Sequence, residues 1–170
     1  MANGNIKKPT FYTFAFYKNL KGECIFKNDN AVIVKASDGS IRGLLWNPDY
    51  YKEKKDLETD IQIDGFDEGE FFVLERFVDE NHANTLKMWH EMGEPSSLDY
   101  SQKDILRKAA EPGMASSNVF SKDGKIALSY NLNPNELRYF EIKKIKRSSD
   151  DGYDYEAVLA QKCVPDENQA

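Results

Sequence analysis

The chain has 170 residues, of which 40% are apolar and 12% aromatic, with nine tyrosines, ten phenylalanines and a formal charge of −6. That length suits one domain with tails, able to bury a core without disulfides, and the aromatic-rich composition favours sheets over disorder. The cations are dispersed, so no basic stripe awaits phosphates and no nucleic-acid partner is expected; no run approaches the ~20 apolar residues of a membrane-spanning helix, so no membrane partner is expected either.

Pro9 suits a first helical turn and Gly22 a position just past a helix end, so a helix is expected between them. Phe11, Phe14 and Ala15 would form one apolar face of that helix, and Tyr12, Phe16 and Leu20 another. A helix apolar on two sides must be covered on two sides, which hints at a neighbour that this chain lacks. A strand is the rival reading of the same aromatic window.

Strands are expected at 23–27, 31–36 and 41–47. Asp38-Gly39 between the second and third marks a hairpin, both positions tolerating positive φ. The continuous apolar runs 31–34 and 43–46 point to a sheet covered on both faces. Asn47-Pro48-Asp49-Tyr50-Tyr51 and the charged run after it read as a solvated loop. Residues 59–64 and 70–78 then form a second expected hairpin across 65–69, with one wet and one buried face.

Residues 76–95 break the β pattern and gather both histidines, His82 and His90, with Trp89. A short helix is expected over 83–92. A second helix should be capped by Ser101, with Tyr100, Ile105, Leu106 and Ala109 as its apolar stripe, and Pro112-Gly113 should end it. Strands at 117–121 and 125–132 are expected to pair across Asp123-Gly124. A last strand, 137–145, should send Leu137 and Tyr139 inward, with Phe140 and Ile142 as further candidates. Seven or eight strands so spaced predict an antiparallel β-sandwich of Ig-like or galactose-binding-like two-sheet form, mainly β, with one N-terminal helix and one or two short helices in the middle. Residues 153–159 read as a late strand or a short helix, and the chain from Val164 onward as disordered.

Few residues carry a chemical pattern. His82 and His90 lie eight apart, about 80° around a helix and not in line, and no third histidine completes a metal site. No Gly-x-Ser-x-Gly elbow or phosphate-binding glycine loop is present, and neither a metal nor another cofactor is expected. Cys24 and Cys163 read as free thiols, although their pairing stays open. Trp46 is expected to plug the sandwich core, and Trp89, with Leu86 and Met92, to anchor its helix to the sheet. Tyr50, Tyr51 and Trp89 are the candidates for stacking on a sugar ring.

Taken together, Pro9-Thr10-Phe11-Tyr12-x-Phe14-x-Phe16, Gly43-Leu44-Leu45-Trp46-Asn47, Asp79-x-x-His82-x-Asn84 and Trp89-x-x-Met92-Gly93-x-Pro95 are similar to glycoside hydrolase family 39. That family contains β-xylosidases and α-L-iduronidases, and the likeness spans about residues 8–146. It implies a β-sandwich that follows a (β/α)8 barrel. Residues 1–22 would then hold the last barrel helix, 23–146 the sandwich, and 147–170 a partly disordered extension in which the chain departs from the family. The resemblance places the family's two catalytic glutamates on barrel strands upstream, about 5 Å apart for a retaining displacement. The acid/base motif, Asn-Glu-Pro, does not occur here, and Pro134-Asn135-Glu136 has the wrong order, in an expected turn. No catalytic residue is therefore assigned.

By this resemblance the chain is an accessory sandwich whose partner is the parent's barrel, with Phe11, Phe14, Phe16 and Tyr17 as docking candidates. Asp79, His82 and Asn84 would fix a signature loop. A carbohydrate-binding module, with xylo-oligosaccharide as ligand, and a self-associating interaction domain are the alternatives. The parent's compartment is left open, because residues 1–9 lack the apolar core of a signal peptide.

Overall fold

A computed structural model describes residues 5–49 and 53–146. The element order is α1 (Pro9–Asn19), β1 (Glu23–Lys27), β2 (Ala31–Lys35), β3 (Ile41–Trp46), β4 (Leu57–Asp64), β5 (Gly69–Val78), α2 (Thr85–Glu91), α3 (Tyr100–Ala109), β6 (Gly113–Ser121), β7 (Lys125–Leu132) and β8 (Leu137–Lys144). Six strands form one antiparallel sheet in the order β1-β2-β3-β8-β5-β6, and β4 pairs with β7 in a second. Their facing sides make the sandwich core. Ala31, Ile33, Ile41, Leu45, Phe71, Val73, Phe140 and Ile142 come from the large sheet, and Ile61, Ile63, Ile126, Tyr130 and Leu132 from the small one.

Side chains alternate across a strand, and this decides what covers the other side of the large sheet. Leu44 and Tyr139 are buried there against α1, with Val32, Trp46 and Leu137 packed around them. The continuous apolar runs thus belong to a sheet covered on both faces. The same parity corrects two assignments. Trp46 shares a face with Leu44, so it is half-buried beside α1 rather than in the sandwich core. Leu137 and Tyr139 face α1 too, while Phe140 and Ile142 point into the sandwich.

The β2–β3 hairpin forms with Lys35 opposite Ile41. Only Gly39, at φ 81°, is left-handed; the Asp38 carboxylate instead accepts from the backbone and hydroxyl of Ser40 at 3.0 and 2.6 Å. The other two expected hairpins do not form. β4 and β5 enter different sheets, as do β6 and β7. Asp123 and Gly124 both have positive φ, 52° and 73°, as a two-residue hairpin turn requires. Yet beyond the bridge between Lys122 and Lys125 the strands part, β6 to β5 and β7 to β4. The two sheet-to-sheet crossings clasp each other, since the Gly124 carbonyl accepts from the N–H groups of Gly65 and Phe66 at 3.0 and 3.1 Å.

Asp99, not Ser101, caps α3: its carboxylate accepts from Gln102 N while the Gln102 side chain accepts from Asp99 N, a complete capping box. Leu106 and Ala110 are the residues that α3 and its end bury; Tyr100 and Ile105 stand exposed.

Candidate functional site

α1 lies across the outer face of the large sheet. Tyr12 and Phe16, four apart and therefore on one helix face, are buried. The Phe16 ring stacks on Tyr139 at 5.6 Å between centroids, and the Arg76 guanidinium lies over the Phe16 ring, 5.6 Å from its centroid. Burial pushes the Tyr139 phenol up to about 12. The start of the helix is tied to the end of α3, where Glu111 accepts from Lys7 Nζ at 2.9 Å and from Tyr12 Oη at 3.0 Å. That pairing holds the Glu111 carboxyl below the ordinary range, with the hydrogen bond from Lys7 as the main cause.

The opposite side of α1 is open. Phe14 is 76% exposed, Tyr17 67% and Phe11 40%. Three of the four docking candidates therefore share an uncovered surface, whereas Phe16 does not: it is spent on the chain's own sheet. Beyond α1 the outer face continues through Phe72, Met114 and Phe120, also exposed. Register places them there. Arg76, which reaches Phe16, lies opposite Met114, and Phe72 and Phe120 keep the same parity along β5 and β6. Sequence reasoning missed these three, because β6 begins at Gly113 and alternation alone does not say which side of a doubly covered sheet stays bare.

The loop after β5 supports this face from one end. The Asp79 carboxylate accepts from the N–H groups of Asn81 and His82, both at 2.7 Å, and lies 2.9 Å from His82 Nδ1. Asn84 caps α2 by accepting from Lys87 N at 3.1 Å, and its amide donates to the Glu80 carbonyl at 3.0 Å. Between them Ala83 is buried beneath α1, with φ 60°. The Asp-x-x-His-x-Asn pattern is thus a turn, a buried contact and a helix cap in succession. The His82 ring meets Phe77 edge-on at 4.8 Å.

Trp89 is half-buried, and its indole N–H donates to the Pro95 carbonyl at 3.2 Å. It packs with Ile6, Leu106 and Ala110, so it joins α2 to α3 rather than to the sheet, and Leu86 is exposed. Tyr50 and Tyr51 lie outside the described residues, as does Cys163; Cys24 is an exposed free thiol. Among the described residues no three His, Cys, Asp or Glu side chains are grouped to hold a metal ion, and no helix is long and apolar enough to cross a membrane.

The family model for glycosyl hydrolases family 39 matches residues 1–127. The chain belongs to that family. It is 28% identical over 145 residues to a β-xylosidase of Geobacillus stearothermophilus, covering 84% of this chain and 28% of that protein. Its fold resembles that of a family 39 enzyme from Xanthomonas axonopodis pv. citri, with a TM-score of 0.71 and 16% identity over 82% of this chain and 31% of that one. A monomeric β-xylosidase from Caulobacter crescentus gives the same TM-score at 15% identity, over 85% and 32% of the two chains. The chain thus spans under a third of these relatives' length.

Within this family 39 domain, Glu136 is the glutamate that follows Pro134-Asn135, and it is closed off. It is 1% exposed. One carboxylate oxygen lies 2.6 Å from Arg138 Nη2, and the other accepts from the backbone and side chain of Asn133 at 3.0 and 2.9 Å. Arg138 also donates to Glu75 at 2.9 Å. The cluster ties β8 to β5 and to the turn before β8, and removing one partner would leave a buried charge uncompensated.

Proposed function

We propose that this family 39 domain is the non-catalytic β-sandwich of a β-xylosidase-like retaining glycosidase, and that it buttresses the catalytic barrel through the outer face of α1. The observation that carries this reading is the two-sided helix. One apolar side is filled by Tyr12 and Phe16 against the sheet, and the other presents Phe14 and Tyr17 exposed, with Phe11 partly open beside Lys7 Nζ at 5.5 Å. Aromatic surface left bare, with Phe72 and Phe120 also exposed on the outer face of the sheet, is what a protein partner covers. The lack of an Asn-Glu-Pro string, and the burial of Glu136 behind Arg138, support a role without acid–base chemistry of its own.

Binding is tested by adding a separately expressed family 39 barrel to the pure chain and following association by sedimentation. Association that weakens on Phe14→Ser with Tyr17→Ser supports docking; association indifferent to both overturns it. Hydrolysis of a nitrophenyl xyloside by the pure chain, above a Glu136→Gln control, would overturn the non-catalytic role. A titration with xylo-oligosaccharide, read by tryptophan fluorescence, bears on the role of Trp89: a saturable shift would put sugar binding in place of buttressing.

A further inference from the structure

The large sheet ends on β1 and β6, and the two edges are built differently. β1 is five residues long, carries Glu23 and Lys27 at its ends, and slips register against β2 between Cys24 and Phe26. Short length, charge and a bulge are what keep an edge from pairing with another chain. β6 has none of the three. Its nine residues, Gly113-Met114-Ala115-Ser116-Ser117-Asn118-Val119-Phe120-Ser121, hold no charge and no proline, and they run in unbroken register along β5. Only Ser121 is buried; Met114 is 73% exposed and Phe120 64%. The charged neighbours lie past the strand's ends, Glu111 before it, already tied to Lys7, and Lys122 and Asp123 after it.

We propose that β6 is a self-association edge, pairing antiparallel with β6 of a second copy about a two-fold axis at Ser117. A symmetric contact must be complementary to itself, and this strand is. Centred on Ser117, the pairing uses all nine residues and keeps each side chain on its own face of the sheet. Ser116 then lies opposite Asn118 of the second copy, and Ala115 opposite Val119. Met114 lies opposite Phe120, on the outer face, once on either side of the axis. The two most exposed apolar side chains of the strand thus cover each other, a thioether against a ring edge, and no like charges meet along the paired stretch.

The small sheet offers no such edge. Pairing β4 symmetrically about Ile61 would set Glu58 against Asp64, like charge on like. The apolar side chains Ile126, Tyr130 and Leu132 of β7 are already in the sandwich core. The β6 contact extends the large sheet sideways, whereas α1 lies over β3 and β8, so it does not rest on the barrel-docking reading. Nine residues a side is fewer than the roughly 20–30 of a standard interface, so the association is weak and reversible.

Sedimentation of the full chain over a range of concentrations should show a reversible shift from one copy towards two. Ser117→Lys sets two cations against each other at the axis and should weaken that shift roughly tenfold. Cross-linking reads the register, and keeps the test open if the lysine variant does not fold. In a background of Cys24→Ser and Cys163→Ser, Ser117→Cys should oxidise to a disulfide-linked dimer. Residues directly opposite have Cα atoms about 4.5–5.5 Å apart, and a disulfide spans about 4.4–6.8 Å. Ser116→Cys and Asn118→Cys should cross-link readily only when mixed, each lying opposite the other. A chain that stays monomeric up to about 1 mM overturns the proposal. Association indifferent to a folded Ser117→Lys overturns it too, and assigns the contact to another surface. Ser116→Cys cross-linking to itself as fast as Ser117→Cys overturns it equally.

Discussion

Replacing Phe16 and Phe14 with alanine, one at a time, separates the two faces of α1. Phe16 is 1% exposed and Phe14 76%. Truncating a buried phenylalanine costs about 3–5 kcal/mol, because the ring's transfer energy is lost and a cavity is left. Here the aromatic pair with Tyr139 adds about 0.5–1.5 kcal/mol to what is at risk. The cation over the ring, Arg76, is a further loss. Against a domain stability of about 5–15 kcal/mol, Phe16→Ala should remove about a quarter or more. Phe14→Ala should lie within about 0.5 kcal/mol of the parent, since an exposed ring is lost and alanine is the better helix former. Urea unfolding followed by fluorescence reads both through the midpoint at constant slope. Phe14→Ala should nevertheless weaken association with a family 39 barrel. Equal stability losses for the two variants would refute the orientation of α1 and the docking face built on it.

The Cβ added by Gly43→Ala would lie 2.1 Å from the Phe140 ring. That ring is fully buried and stacked on Tyr130, so it has nowhere to retreat. Overpacking of about 1–3 kcal/mol should outweigh the usual strand gain of about 0.5–1 kcal/mol from replacing glycine. Gly113→Ala meets Phe77 in the same way, but Phe77 is half-buried and can swing aside; its melting temperature should fall less. Arg138→Met strands Glu136 and should cost about 3–5 kcal/mol in urea unfolding, much of it recovered by adding Glu136→Gln. The Glu111 carboxyl is held below its ordinary value in the fold, so its contribution is present above the unfolded pKa and is lost as pH falls through the folded one. Half-exposed, the group supplies well under about 1 kcal/mol. Glu111→Gln should therefore be slightly less stable than the parent at neutral pH, and the gap should close in strong acid, as paired urea titrations would register.

What the sequence determined by itself is local. The β2–β3 hairpin follows from a short loop with glycine at its one left-handed position. The apolar runs 31–34 and 43–46 announce a sheet packed on both sides, and the two apolar faces of α1 announce a helix with work on both. The family likeness rests on strings of neighbouring residues in the same way. Which strands pair was decided only by the tertiary structure. Asp123-Gly124 makes a hairpin turn whether the flanking strands continue together or part, because its dihedrals constrain four residues and no more. β6 parts from β7 since β5 offers it a partner over its whole length, and β4 finds β7 more than sixty residues on. The same long-range choice turned Trp46 to the helix side, Trp89 to α3, and Phe16 away from any partner. Alternation reports that two sides differ; which side meets which neighbour is settled by pairings far apart in the chain, and these leave no mark in a window of ten residues.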